Sequence, residues 1–176
     1  MPTHEEMAAL YGSANLFTAS AMELEKFGLV PKDAEALGVV GLPVNSSPFF
    51  TTEVVGGPEF LTVIDVTTSN GMDHREVIIG GPPGDPGMRF SVSAYEGFIM
   101  LAQLDGPRPK GEIVNNLGEF IEFLYQIKLH EVRSAADPAV RDESFRELSS
   151  RLRALDPFAF EQPDDWWSIA MELCRP

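Results

Sequence analysis

Residues 116–127 read Asn-Leu-Gly-Glu-Phe-Ile-Glu-Phe-Leu-Tyr-Gln-Ile and predict a long amphipathic helix in the last third of the chain. Asn116 suits the N-cap position because its side-chain oxygen can accept a hydrogen bond from a first-turn amide, and Glu119 follows three residues later. Apolar residues then recur three or four positions apart, at Leu117, Phe120, Ile121, Leu124 and Ile127. We expect this face to pack against the rest of the fold.

Before this helix the apolar pattern has a period of two, which is typical of β-strands. Asn70-Gly71 predicts a hairpin turn because both residues tolerate a positive φ, whereas the proline-rich residues 80–87 predict a loop. Pro107 and Pro109 mark a further turn. The expected strands are residues 60–66, 75–79, 88–94, 97–104 and 112–114. Their connections are too short for a crossover helix, so the sheet should be antiparallel.

The N-terminal region predicts short helices separated by irregular segments. Thr3 and Glu6 form a capping box ahead of a first helix that ends at Gly12. Residues 31–37 predict one or two helical turns closed by Gly38.

Two N-terminal segments show no regular pattern. Residues 16–29 are less regular than the flanking helices, and residues 41–50 have prolines too close together for a regular element. We expect the second segment to be an ordered loop anchored by Phe49 and Phe50.

Two more helices are predicted after the long one. Asp137-Pro138 begins the first, with a buried face of Phe145, Leu148, Leu152 and Leu155. Pro163 opens the second, with Asp164 and Asp165 in its first turn and a buried side of Trp166, Ile169, Ala170 and Leu173. The aromatic residues expected in the core here are Phe158, Phe160 and either Trp166 or Trp167. The predicted fold is a single α+β domain over residues 1–176, an antiparallel sheet of about five strands flanked by N-terminal and C-terminal helices.

Charge and composition restrict the function classes. The formal charge is −14, spread along the chain, and no cluster of Lys or Arg could neutralise nucleic-acid phosphates. No apolar run reaches the roughly 18 residues of a membrane helix, and the acidic N-terminus is unlike a secretion signal, so we expect a cytoplasmic protein without membrane contact. Cys174 is the only cysteine, which excludes an intramolecular disulfide.

No catalytic pattern is evident. His4, His74 and His130 have no metal-ligand spacing, and the loop at residues 80–87 lacks the glycine-lysine pattern of a phosphate-binding loop. Adjacent carboxylates such as Asp164 and Asp165 are expected simply to face water. We therefore expect no enzymatic activity, cofactor or metal, and a binding role becomes the default.

A series of short motifs resembles a known family. The motifs are Gly41-Leu42-Pro43, Pro48-Phe49-Phe50, a two-stranded unit ending in Gly80, the helix start Val114-Asn115-Asn116-Leu117-x-x-Phe120-x-x-Phe123-Leu124, and Leu155-Asp156-Pro157-x-Ala159-Phe160 leading to Trp167. Their order and spacing over residues 1–173 resemble the SUKH superfamily of immunity proteins, specifically its fourth family. Two departures stand out: the family's usual Asn-Ser-Ser before the long helix is Asn115-Asn116-Leu117 here, and the loop at residues 80–87 is unusually rich in proline.

The resemblance implies an immunity protein of a bacterial polymorphic toxin system, which binds a cognate toxin domain, often a nuclease or deaminase, and blocks it. The resemblance implies no catalytic residues. An acidic protein of this kind suits a basic toxin, because opposite charges accelerate encounter. Two alternatives remain open: an interaction domain of the same fold with a host partner, and a small-molecule binder or carboxylate-using hydrolase.

Candidate residues fall into two groups. Acidic or aromatic residues at strand ends and turns, where binding residues concentrate, are the candidate partner contacts: Glu76, Asp85, Tyr95, Glu96 and Asp105. Residues that match family motif positions are expected to be structural, as turn, loop anchor, cap and core: Gly41, Leu42, Pro43, Phe50, Asn116 and Trp167.

Overall fold

A computed structural model of the chain describes residues 1–67, 73–104 and 110–175. Its helices are α1 (His4–Tyr11), α2 (Ala21–Phe27), α3 (Pro31–Glu35), α4 (Leu117–Ala136), α5 (Arg141–Leu155) and α6 (Trp166–Cys174). Its strands are β1 (Leu16–Phe17), β2 (Leu42–Pro43), β3 (Asn45–Ser46), β4 (Phe50–Thr51), β5 (Val63–Thr67), β6 (Asp73–Gly80), β7 (Met88–Ser93), β8 (Ile99–Gln103) and β9 (Lys110–Val114). The α+β prediction is confirmed, with helices at both ends of the chain.

The central sheet is an antiparallel meander in the order β5-β6-β7-β8-β9. All five predicted strands are present, although the first begins at Val63 instead of Phe60, because Leu61 has a φ of +62°, which extended backbone does not adopt. The predicted turn residues Asn70, Gly71, Pro107 and Pro109 lie outside the described residues.

Register gives the sheet two different faces. Val77 pairs with Val92, which pairs with Ile99, and all three are fully buried on the face that packs against the helices. On the opposite face, Glu76 pairs with Ser93. Because side chains alternate along a strand, this pairing decides which residues face away from the helices.

The core is an aromatic cluster centred on α4. Phe120 has ring centres of Phe50, Phe90 and Trp167 within 5.3–5.7 Å. The predicted apolar stripe of α4 is fully buried along its length, at Leu117, Phe120, Ile121, Leu124 and Ile127. Its N-cap is Asn116, whose Oδ1 accepts a hydrogen bond from the Glu119 amide at 2.9 Å.

The N-terminal region contains more regular structure than the sequence analysis predicted. The Thr3–Glu6 capping box and the end of α1 at Gly12 are as predicted, but α2 lies inside the segment described as irregular. A second capping box, between Ser20 and Glu23, begins α2 and was overlooked.

The turn after α3 ends later than predicted. Residues Ala36–Val40 form a π-helical turn that ends at Gly41, not at Gly38. Gly38 instead leaves space for α2, since a Cβ at this position would lie 2.7 Å from Leu24 Cδ1. The following proline-rich segment, predicted as a loop, forms short strands: β2 pairs with β1 from earlier in the chain, and β3 pairs with β4. Phe49 and Phe50 are buried as predicted.

The buried face of α5 is largely as predicted, with Leu148 and Leu152 buried and Phe145 half-buried, whereas that of α6 differs from the prediction. Leu155 and Phe158 are 37% and 70% exposed, and Ile169 and Leu173 of α6 are 43% and 65% exposed. The buried side of α6 is Trp167, Ala170, Met171 and Cys174, because Trp167 inserts against Phe120 and Phe123 and this contact sets the rotation of the helix. Asp164 and Asp165 precede α6, with Asp165 at its N-cap. Among the described residues, none of the helices has the length and apolarity needed to cross a membrane.

Trp167 provides a direct test of this core. We expect Trp167→Ala to lower the free energy of unfolding by about 3–5 kcal/mol, because its ring is buried between two phenylalanines and its removal leaves a cavity. Phe158→Ala is the matched control: its ring is 70% exposed, so the loss should stay near 0.5 kcal/mol. Urea unfolding followed by circular dichroism measures both values, and equal losses would contradict the assignment.

Candidate partner-binding surface

Three of the five predicted contact residues lie close together where β7 turns into β8. Glu76 pairs across the sheet with Ser93, and Tyr95 and Glu96 follow in the turn after Ser93. Tyr95 is 60% exposed and Glu96 is exposed, while Glu76 is half-buried and its Oε2 accepts a hydrogen bond from Ser91 Oγ at 2.8 Å. We call Glu76, Tyr95 and Glu96 the turn surface.

The turn that carries Tyr95 is tight and closed by backbone hydrogen bonds. The Gly97 amide donates to the Ser93 carbonyl at 2.9 Å, and the Ser93 amide donates to the Phe98 carbonyl at 3.0 Å. Gly97 has a φ of +85°, and a Cβ there would lie 2.7 Å from Asp33 Oδ2. Glycine is therefore required both by the backbone conformation and by the carboxylate behind it.

Asp33 supports the turn surface from behind. It lies in α3 and is fully buried, and its Oδ1 accepts a hydrogen bond from the Leu117 amide at 2.9 Å, which joins α3 to the first turn of α4. Its Oδ2 has no hydrogen-bond partner among the described residues. Burial raises the pKa of Asp33 to about 6, and the Leu117 amide and the positive charge of Lys32 offset only part of this rise.

Charge at the turn surface is negative. Two cations lie beside it: Lys32 Cε is 3.5 Å from where a Cβ at Gly97 would lie, and Arg75 Nε donates to Asp65 Oδ1 at 2.8 Å on the neighbouring strand. Because Asp65 balances Arg75, and the carboxylates of Glu76 and Glu96 outnumber the one ammonium of Lys32, the charge around Tyr95 is negative.

Asp85 lies at the opposite end of β7. β7 has six residues, so the two ends are about 17 Å apart. Asp85 is half-buried, and its Oδ1 accepts a hydrogen bond from the Gly87 amide at 2.7 Å. It therefore does not belong to the turn surface. Asp105, the fifth predicted contact, lies outside the described residues.

Arg89 is a feature that sequence reasoning missed. It is fully buried at the start of β7 and donates hydrogen bonds to backbone carbonyls of two loops, among them Val55 at 2.8 Å, Pro58 at 2.9 Å and Met88 at 2.7 Å. Burial lowers the pKa of Arg89, and the nearby charge of Asp85 acts in the opposite direction. The only signal in the sequence was the density of glycine and proline in both loops.

The residues that match family motifs lie in the interior. Gly41 has a φ of +91°, and a Cβ there would meet the Phe17 carbonyl oxygen at 2.7 Å. Leu42 and Pro43 are buried in β2, while Phe50 and Trp167 are 0% and 1% exposed in the aromatic cluster. Asn116 caps α4, as described above.

A groove of about 860 Å³ runs between α4 and α5. Its lining combines Glu143 and Glu147 with Arg146 and Arg151, so it has no uniform charge. Arg151 also contacts the buried Glu122, whose pKa is lowered because hydrogen bonds from the Met1 amine, Gln126 and Arg151 outweigh the effect of burial. No cluster of three or more His, Cys, Asp or Glu side chains within the described ranges could hold a metal ion.

Comparison with known proteins gives one match. A family model described as SUKH-4 immunity protein matches residues 2–173. The chain matches no curated protein and no solved structure.

Asp33 makes stability depend on pH. Its pKa is about 6 in the folded protein and near 3.8 when unfolded, so the folded state binds the proton more tightly. The stability that Asp33 contributes through its raised pKa is therefore complete below pH 4, and it is lost as the pH rises through 6. We expect Asp33→Asn, which keeps an oxygen for the Leu117 amide, to gain about 2–3 kcal/mol relative to wild type between pH 4 and pH 7.5.

Urea unfolding of both proteins at the two pH values measures this gain. The difference between them cancels the titration of all groups that they share. A difference that does not change with pH would show that Asp33 titrates normally.

Proposed function

The chain belongs to the SUKH-4 immunity protein family, and we propose that it binds and blocks a cognate toxin domain of a bacterial polymorphic toxin system. The toxin in this proposal is a nuclease or deaminase with a basic surface, and neutralisation occurs in the cytoplasm by protein–protein contact. The immunity protein catalyses no reaction and needs no cofactor.

The observation that carries this proposal is the turn surface. Tyrosine is enriched among the residues that dominate interface energetics, because it buries a large ring with few rotatable bonds and still offers a hydroxyl. Tyr95 is 60% exposed on a turn whose backbone is held by Ser93 and Gly97. An aromatic side chain on an ordered turn loses little entropy when a partner covers it.

Charge favours a basic partner. Glu76 and Glu96 flank Tyr95, and the whole chain carries a formal charge of −14. Enzymes that act on nucleic acids need a positive substrate groove, which an acidic protein can occupy. We infer that the turn surface approaches such a groove and prevents substrate entry.

The two alternative functions, a regulatory domain and a small-molecule binder or hydrolase, would involve different partners. A regulatory domain of the same fold would bind a host protein, and a small-molecule binder or hydrolase would use a concave pocket with converging polar groups. The groove between α4 and α5 has mixed charge, and Asp33, whose pKa is raised, lies behind the turn surface. The turn surface therefore supports binding to a protein more directly than binding to a small molecule, and the family match favours a toxin as that protein.

Co-purification with the product of the neighbouring toxin gene tests the proposal. We expect a stable complex and rescue of growth when both proteins are expressed in the same cell. A neighbouring toxin that neither binds this protein nor is neutralised by it would refute the proposal, and stable binding to a host protein alone would favour the regulatory alternative.

Salt dependence tests the electrostatic part. We expect the association rate constant with that toxin domain to fall at least tenfold between about 0.02 and 0.5 M NaCl, because screening shortens the range of charge attraction to about 8 Å at 0.15 M. Stopped-flow fluorescence measures the rate. A rate that is independent of salt would exclude steering by the acidic surface.

Substitutions at the turn surface test its place in the interface. Tyr95→Ala should weaken binding by about 30-fold or more, the loss of a residue worth about 2 kcal/mol, and Glu96→Lys should mainly slow association. Phe158→Ala and Glu172→Lys are matched controls, since Phe158 is 70% exposed and Glu172 is exposed on α6. Surface plasmon resonance compares the four variants, and equal affinity for all of them would remove the turn surface from the interface.

A further inference from the structure

Arg89 occupies an unusual position for a cation. It is fully buried, and the acceptors that its guanidinium contacts are backbone carbonyl oxygens from two separate loops. The loop at residues 55–58 contributes Val55, Gly56, Gly57 and Pro58 at 2.8–3.4 Å, and the loop at residues 85–88 contributes Asp85, Pro86 and Met88 at 2.7–3.4 Å. One side chain thus fixes the conformation of both loops.

The inward carbonyls determine what the first loop presents to solvent. With the carbonyl groups of residues 55–58 directed at Arg89, the amides of Gly56 and Gly57 make no hydrogen bond to any residue that the structure describes. Both glycines are exposed, so these amides are available to acceptors on another molecule. Val55 is 59% exposed beside them.

The charge outside the two loops is negative. Glu53 and Glu59 are exposed and Asp85 is half-buried, whereas the positive charge of Arg89 is enclosed and faces only carbonyl groups. An apolar side chain with free backbone donors and surrounding carboxylates fits a basic protein surface that offers its own carbonyl groups. It does not fit a nucleic acid or another acidic ligand.

We propose that Val55, Gly56, Gly57 and Glu59, which we call the loop surface, form a second contact region for the toxin domain, and that Arg89 is the residue that positions it. This inference rests on the proposed function. The loops lie at the Asp85 end of β7, about 17 Å from the turn surface. A standard interface of about 800 Å² per partner is roughly 30 Å across, which is wide enough for one partner to reach both surfaces.

A role in stability alone would not explain this arrangement. A buried position next to a sheet is filled at lower cost by an apolar side chain, because a buried charge loses its hydration. What Arg89 supplies, and an apolar residue could not, is a fixed set of hydrogen bonds that holds two glycine- and proline-rich loops in one conformation before binding.

The contact itself is tested with Val55→Lys. Val55 meets Arg89 only through its carbonyl oxygen, so the substitution leaves the hydrogen bonds of Arg89 in place. We expect a lysine there to weaken binding to the purified toxin domain by at least tenfold, through repulsion from a basic partner. Val39→Lys is the matched control, because Val39 is a valine with 62% exposure in the turn after α3.

The positioning role is tested with Arg89→Lys in the free protein. A lysine ammonium has three donors instead of five and no planar fork, so it cannot reach both loops. We expect hydrogen–deuterium exchange at residues 54–59 and 84–88 to speed up at least tenfold, with α4 unchanged and toxin binding weakened at least tenfold. Arg175→Lys, at an arginine whose ion-pair partner Glu172 is exposed on α6, is the control.

The outcomes separate the two proposals. If Val55→Lys binds like wild type while Tyr95→Ala binds weakly, the loop surface is refuted and the proposed function stands. Unchanged exchange in Arg89→Lys would refute the positioning role. A wild-type protein that forms no complex with the toxin domain would refute the proposed function and this inference with it.

Discussion

The rest of the structure depends on the burial of one face of α4 by aromatic side chains from separate parts of the chain. Phe120 contacts Phe50 from the N-terminal region, Phe90 from the sheet and Trp167 from α6. Dispersion and the hydrophobic effect act without direction, so these rings would pack in many ways. The cap at Asn116 and the register of β7 select one arrangement, and the positions of the surface turns follow from it.

Two buried charged residues lie beneath the proposed contact regions. Asp33 connects α3 to α4 and lies against Gly97, behind the turn that carries Tyr95. Arg89 connects two loops at the other end of β7. Each charge is costly to bury and is partly compensated by backbone groups. The two loops near Arg89 are therefore held by hydrogen bonds to a charge, whereas the core is stabilised by apolar contacts.

Local patterns in the sequence predicted much of the fold. The strands and the long helix follow from hydrophobic periodicity, which is a property of neighbouring residues. The errors have two causes. The helix Ala21–Phe27 follows from a local capping box that the prediction did not use. Distant contacts decide the other error: Ile169 and Leu173 are exposed because Trp167 sets the rotation of α6. The proximity of Glu76 to Tyr95 and Glu96 follows from strand register, and the separation of Asp85 from them does too.

By itself the sequence determined the α+β class, the strands and helices of the central region, the negative charge and the resemblance to a family whose model matches residues 2–173. These properties depend on composition and on short-range periodicity, and both can be read directly from the order of the residues. Only the tertiary structure decided that Asp33 and Arg89 are buried, that Asp33 joins α3 to α4 and that Arg89 holds two loops. The Leu117 amide, which binds Asp33, and the carbonyls of residues 55–58, which bind Arg89, are distant in sequence from these charges. Because nearly every residue carries a backbone amide and a carbonyl, no sequence pattern identifies such partners.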